Sequence, residues 1–149
     1  MNGSWMFTKG NAFDSQTKWE LVEVPHTWNN IDGQDGGNDY YRGLCYYKRI
    51  IEIKPHDGRV FLEFEGVNSV ATLYLNNKEI GTHKGGYSAF RFDITDDCVN
   101  GENTLLIGVD NTHDEYVIPM QADFTFYGGL YRDSYIVYTN SLCFDLSSY

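Results

Sequence analysis

Basic residues are scarce in this chain. Eleven Lys plus Arg stand against twenty-one Asp plus Glu in 149 residues, for a formal charge of −10. Such a surface repels phosphate backbones and anionic bilayers, which argues against nucleic acid and membranes as partners. Acidity by itself is usually a solvated surface, so it proposes no partner of its own. Cysteine is sparse as well. Cys45, Cys98 and Cys143 form neither an even disulfide framework nor a C-x-x-C pair, and they read as free thiols, partly buried. The histidines at 26, 56, 83 and 113 show no spacing of the kind that holds zinc. No apolar run approaches the roughly 20 residues that cross a bilayer, and no basic segment precedes an apolar one at the N-terminus. The chain as given therefore reads as soluble, without a signal peptide and with its compartment open. Helical periodicity is also missing: no window of a dozen residues sustains a 3.6 period.

What is present is aromatic and turn-rich. Twelve Tyr, nine Phe and three Trp accompany fifteen Gly and only three Pro, the composition of an all-β domain with many tight turns. The length fits one domain over residues 1–149, large enough to bury a core without staples. Val60-Phe-Leu-Glu-Phe-Glu65 and Ala71-Thr-Leu-Tyr-Leu-Asn76 alternate, with Val60, Leu62 and Phe64 on one face and Ala71, Leu73 and Leu75 on another. The short connection between them predicts antiparallel pairing of neighbouring strands. Asn76 and Asn77 predict a hairpin turn returning through 78–83, because Asn tolerates positive φ. Further strands are expected at 45–53, 88–93, 104–110 and 134–138, and one helical turn near 95–99. Strands spaced about ten residues apart predict a β-sandwich or barrel. Glu63 and Glu65 alternate outward and read, with Glu52, as solubilising charges.

Two long segments, 29–43 and 111–129, break that spacing, and long loops in compact β domains tend to carry function. The first concentrates Asp32, Asp35, Asn38 and Asp39 among glycines. These oxygens can hold sugar hydroxyls or a cation, although the EF-hand spacing is not met, and Asx-turns capping their own backbone remain the simpler reading. The second runs into Asp123-Phe-Thr-Phe-Tyr-Gly-Gly-Leu-Tyr-Arg132. Here one carboxylate stands among aromatics before a Gly-Gly turn, as a sugar site requires: an acceptor for hydroxyls and flat apolar faces for a pyranose. The alternative is a loop in which Asp123 caps a turn and the aromatics fill the core. No G-x-S-x-G elbow and no phosphate-binding glycine loop occurs, and Cys98 has no His partner near in sequence. Retaining glycoside hydrolysis needs two carboxylates roughly 5–5.5 Å apart, a distance a sequence does not supply.

Seven pieces of the chain carry a family resemblance: Val24-Pro-His-Thr-Trp28, Tyr41-Arg-Gly-Leu-Cys-Tyr-Tyr-Lys-Arg49, Phe64-Glu-Gly-Val67, Gly81-Thr-His-Lys-Gly-Gly-Tyr87, Asn103-Thr-Leu105, Val109-Asp-Asn111 and the 123–132 motif. In their order and spacing they resemble the N-terminal sugar-binding domain of family 2 glycoside hydrolases, nearest the bacterial β-galactosidases. The resemblance covers residues 3–140. It implies a jelly-roll β-sandwich of the galactose-binding type, followed in the family by an immunoglobulin-like domain and a TIM barrel bearing two catalytic glutamates. The family's general acid follows an asparagine, and this chain has no Asn-Glu dipeptide. The resemblance thus implies a fragment without its catalytic half, with no catalytic residue, no cofactor and no metal expected of the chain itself. It assigns Asp123 to substrate hydroxyls and makes Asn38 and Asp39 further substrate-binding candidates. Gly128, Gly129 and Arg132 are expected to set the loop's geometry, by positive φ and a salt bridge, and His83, Gly85, Gly86 and Tyr87 to be architectural.

The leading expectation is a non-catalytic domain of a β-galactosidase-like glycosidase, contributing substrate contacts and packing against the family's other domains. Two alternatives use the same fold: a free-standing carbohydrate-binding module, and a structural domain serving interdomain or subunit assembly.

Overall fold

The computed structural model describes residues 1–30, 32, 40–118, 125–144 and 146. Its strands are β1 (Gly3–Lys9), β2 (Glu20–Val24), β3 (Leu44–Ile53), β4 (Val60–Phe64), β5 (Val70–Leu75), β6 (Lys78–Lys84), β7 (Phe90–Asp93), β8 (Gly101–Asp110) and β9 (Ser134–Tyr138). Among the described residues there is no helix. The strands form a six-stranded sheet in the order β2-β1-β3-β8-β5-β6 and a three-stranded sheet in the order β7-β4-β9. Every pairing is antiparallel. The result is the expected all-β jelly-roll sandwich.

Alternation builds the core. Trp5 and Phe7 on β1, Cys45, Tyr47, Ile51 and Ile53 on β3, Ala71, Leu73 and Leu75 on β5, and Leu105, Ile107 and Val109 on β8 are all buried. They join Val60, Leu62, Phe64 and Phe90 of the small sheet in one cluster. Each fully buried Leu, Ile or Phe side chain contributes about 1.5–3 kcal/mol, so this cluster is the main source of stability. The spine is the β3–β8 pair, in register from Leu44↔Asp110 to Ile53↔Gly101. Its Leu44/Asp110 end is where both long segments leave the sheet.

The Asn76–Asn77 turn is as expected, with φ of 51° and 68°, the two left-handed residues that a tight hairpin between right-twisted strands needs. The turn after β7 closes through Asp97 and Cys98 amides donating to the Ile94 carbonyl at 3.0 and 2.9 Å. All three cysteines are free, with Cys45 buried and Cys98 and Cys143 half-buried.

Two expectations are corrected. β4 and β5 do not pair with each other; they lie in different sheets. The connection hydrogen-bonds forward to the 129–133 segment, Glu65 N to Asp133 O at 3.0 Å and Asn68 N to Gly129 O at 3.1 Å. It therefore crosses the sandwich and does not fold back as a hairpin. Glu63, in turn, is no free surface charge. It is the register partner of Arg91 on β7 and forms an ion pair with that guanidinium.

Candidate functional site

The sheet ends at Leu44/Asp110, and there two buried asparagines join the long segments. Asn29 and Asn111 are 0% and 1% exposed. A buried primary amide is stable only when both its donors and its acceptor are used. Asn111 Nδ2 donates to Asn29 Oδ1 at 3.2 Å and to the Phe126 carbonyl at 3.1 Å, while its Oδ1 accepts from Gly43 N at 2.9 Å. Asn29 Oδ1 also accepts from Gly128 N at 2.7 Å, and its Nδ2 donates to the Tyr41 carbonyl at 2.9 Å and to Asp32 Oδ2 at 3.0 Å. The Tyr41 carbonyl further accepts from Trp28 Nε1 at 3.2 Å. Both ends of 29–43 and both ends of 111–129 are thus tied into one network.

The Gly-Gly turn closes this network from above. A Cβ at Gly128 would stand 2.0 Å from Trp28 Cζ2, and one at Gly129 would stand 2.3 Å from the His26 carbonyl oxygen. Gly129 also has φ of 138°, which L side chains rarely adopt. Of the two expected positive φ values, then, Gly129 has one, while Gly128 is required by its contact with the indole. Thr27 Oγ1 donates to the Gly128 carbonyl at 2.7 Å, and Asn68 exchanges backbone hydrogen bonds with Gly129 at 3.1 and 3.2 Å. The Asn68–Ser69 peptide beside it is cis. Below, His26 Nδ1 lies 2.7 Å from the Tyr47 hydroxyl. Burial pushes the Tyr47 phenol well above its ordinary value of 10.0, so the hydroxyl keeps its proton. Burial also lowers His26, which favours the neutral ring.

Between the two segments lies a small cleft of about 20 Å³, lined among others by Arg42, Asn68, Tyr87, Asn111, His113 and Phe126. Arg42 is fixed there by Nε donating to the Asn111 carbonyl at 2.9 Å, with its guanidinium 5.4 Å from the Phe126 ring centre. Asp114, also in the lining, pairs with Lys84 at 2.8 Å, and the Lys84 ammonium lies 4.7 Å over the Tyr116 ring. The Lys84 hydrogen bond is the largest cause holding the Asp114 carboxyl below its ordinary value. The Asn111 amide is fully engaged in the loop network, so the cleft presents the Arg42 guanidinium and aromatic side chains in a space the size of a water molecule.

Of the sequence-based site residues, Asp123, Asn38 and Asp39 lie outside the described residues, as does Asp35. Asp32 is described: its Oδ2 accepts from Asn29 Nδ2 at 3.0 Å and from Tyr41 N, nine residues on, at 2.8 Å, bracing the two ends of the loop where the sequence suggested a local Asx-turn. Its buried Oδ1 has no hydrogen-bond partner among the described residues. Arg132 forms no ion pair among the described residues, and its guanidinium rests 5.4 Å from the Tyr131 ring centre. Of the four residues expected to be architectural, His83 stacks on Phe90 at 3.9 Å, Gly85 has φ of 139°, and a Cβ on Gly86 would meet Asn68 Oδ1 at 2.3 Å, whereas Tyr87 is 46% exposed and lines the cleft. Sequence reasoning passed over Asn29, Asn111 and Arg42 as parts of the site. The available signal was position, since an asparagine opens each long segment.

Known proteins resemble this chain in fold and sequence. A β-glucuronidase of Bacteroides fragilis is 40% identical over 146 residues, covering 96% of this chain and 21% of that protein. A β-galactosidase of Thermoanaerobacter pseudethanolicus is 28% identical over 93% of this chain and 20% of its own length. The chain therefore spans about a fifth of the length of these curated relatives. Among solved structures, a putative β-galactosidase of Bacteroides fragilis superposes with a TM-score of 0.83 at 41% identity, covering 94% of this chain and 23% of that one. A β-glucuronidase of Parabacteroides merdae gives 0.84 at 31% identity, over 94% and 21%. The family described as "Glycosyl hydrolases family 2, sugar binding domain" matches residues 22–140, and the chain belongs to that family.

Proposed function

We propose that this chain is the non-catalytic, substrate-orienting N-terminal domain of a retaining glycosidase acting on β-galactosides, completed by an immunoglobulin-like domain and a catalytic barrel. In this reading Asp123 accepts hydrogen bonds from substrate hydroxyls, with Asn38 and Asp39 as further contacts. The observation that carries it is the Asn29–Asn111–Gly128 network. It fixes the departure points of both long segments within hydrogen-bond distance of each other, so residues on either can serve one ligand. Holding a substrate at hydroxyls remote from the scissile bond supplies orientation, and orientation lowers the barrier without any chemistry from the holding group.

The test is Asp123→Ala in the whole glycosidase. Loss of a charged hydrogen bond to substrate lowers kcat/KM by about 2–4 kcal/mol; unchanged kinetics would refute the assignment. A second substrate reading, a β-glucuronide, is favoured by the 40% identity to a protein named β-glucuronidase. Comparing kcat/KM on nitrophenyl galactoside and glucuronide decides between them.

A further inference from the structure

β1 and β2 are in register only as far as Phe7↔Glu20. Beyond that pair they part, and the gap is an open groove of about 400 Å³ lined by Thr8, Lys9, Asn11, Lys18, Trp19 and Glu20, among others. That volume lies within the range of small-molecule sites, ~300–1,000 Å³. Its rim is held by the 10–19 loop folding on itself, with Thr17 Oγ1 donating to the Asn11 carbonyl at 2.6 Å and Gly10 N to the Leu44 carbonyl at 3.0 Å. Trp19 is half-buried there, the most exposed of the three indoles; Trp5 and Trp28 are 1% and 6% exposed.

The charge around this indole runs against that of the chain. Lys9 and Lys18 line the groove, and Lys48 Nζ stands 5.8 Å from the Trp19 ring centre. These are three of the eleven basic residues in a chain of net charge −10. Among the described residues none of the three is in an ion pair, and Glu20 is the one carboxylate in the lining. Unpaired ammonium groups around an accessible aromatic face suit a ring that is apolar on its C–H face and anionic at its edge. Lys9 also reaches 4.9 Å over the Tyr41 ring, the residue whose carbonyl gathers the Asn29 and Trp28 hydrogen bonds. The groove therefore adjoins the loop network while using none of its ligand candidates.

We propose that this groove is a second saccharide site, which takes an anionic glycan by stacking a pyranose on Trp19 and holding its carboxylate or sulfate between Lys9 and Lys18. The inference goes beyond the substrate-orienting reading and does not involve Asp123. Calorimetric titration of the protein with trigalacturonate, a sulfated galactan oligosaccharide, neutral galactotriose and tripolyphosphate tests it. Expected are millimolar or tighter binding of at least one anionic oligosaccharide, the tighter of the two identifying the source, and weaker binding of galactotriose. Trp19→Ala and the double variant Lys9→Gln/Lys18→Gln should each weaken binding about tenfold, as should a rise to roughly 0.5 M salt. Trp19→Phe should restore most of the loss, and Asp123→Ala should leave this binding intact. Absence of binding at roughly 10 mM ligand, equal affinity for tripolyphosphate, or indifference to Trp19→Ala would overturn the proposal.

Discussion

At position 128 a side chain has nowhere to go. Three atoms of the Trp28 ring lie 2.0–2.6 Å from where a Cβ would be placed, and Trp28 is itself buried with its Nε1 engaged. Gly128→Ala must displace that indole and is expected to cost about 3 kcal/mol, the upper part of the range for overpacking, read from urea denaturation. Asn111→Ala acts by the opposite means, emptying space, stranding the Gly43 N–H and removing one of the two donors to Asn29 Oδ1. It too should cost about 3 kcal/mol, since buried groups left without partners each cost about 1–3 kcal/mol. His26 gives the pH dependence. Burial, the largest cause, lowers it from 6.5; Glu20, next in size, raises it, and Lys9 adds a smaller lowering. Below pH 6.5 the unfolded chain then binds more protons than the folded one, so stability is full above that value and falls as pH drops through the lowered folded pKa. His83 is lowered by burial in the same direction. His26→Phe keeps a ring against Phe7 but loses the Tyr47 hydrogen bond. It should be less stable at neutral pH by about 1–2 kcal/mol and show a shallower loss between neutral and acid pH in denaturation series.

Hairpins and crossovers differ in how far a sequence declares them. The β5–β6 turn is legible because two adjacent asparagines between alternating strands satisfy a local requirement, positive φ at both centres. Asn77→Val breaks that requirement and should cost about 1–2 kcal/mol in thermal unfolding, the price of a β-branched residue in the left-handed region; Asn77→Gly should be tolerated. The β4 and β5 strands were equally legible one at a time, yet their partnership was not. A five-residue connection looks the same whether it turns back or crosses to the opposite sheet, and the choice is made by Gly129 and Asp133, more than sixty residues away. β1 and β2 escaped detection for another reason. Met6 and Leu21 point outward at 37% and 69% exposure, so apolar residues occupy both faces and the period of two is blurred. In the candidate site, aromatic and Gly-Gly chemistry marked the 123–132 segment, whereas the Asn29–Asn111 contact joins positions 82 residues apart and leaves no local trace. Loop residues were nominated for ligand contact on residue type, and it is the residues at the loop ends that tie the two segments together.

For the molecule as a whole, the decisive question is whether binding and bond cleavage can reside in the same chain. Glycoside hydrolysis by retention needs one carboxyl held protonated and another ionised, about 5–5.5 Å apart. The described carboxyls with displaced titration point the wrong way for an acid. Burial raises Asp93, but hydrogen bonds from Thr95 and Arg59 outweigh it and hold it low, and Asp114 is held low by Lys84. Near the cleft, Asp32 accepts from Asn29 and Tyr41, and Asp110 accepts from the Thr112 amide at 2.8 Å. Glu63, on the small sheet, is bound to Arg91. These carboxylates act as hydrogen-bond acceptors and ion-pair partners that shape loops and sheets; for Asp93 and Asp114 that role favours the charged form and removes the proton a general acid must give. On the proposed reading, the 149-residue chain on its own is expected to hydrolyse neither nitrophenyl β-galactoside nor nitrophenyl β-glucuronide above the buffer rate. Turnover that co-purifies with the chain through successive columns, and that disappears on replacing one of its own carboxylates, would show that the bond-breaking groups lie within these residues.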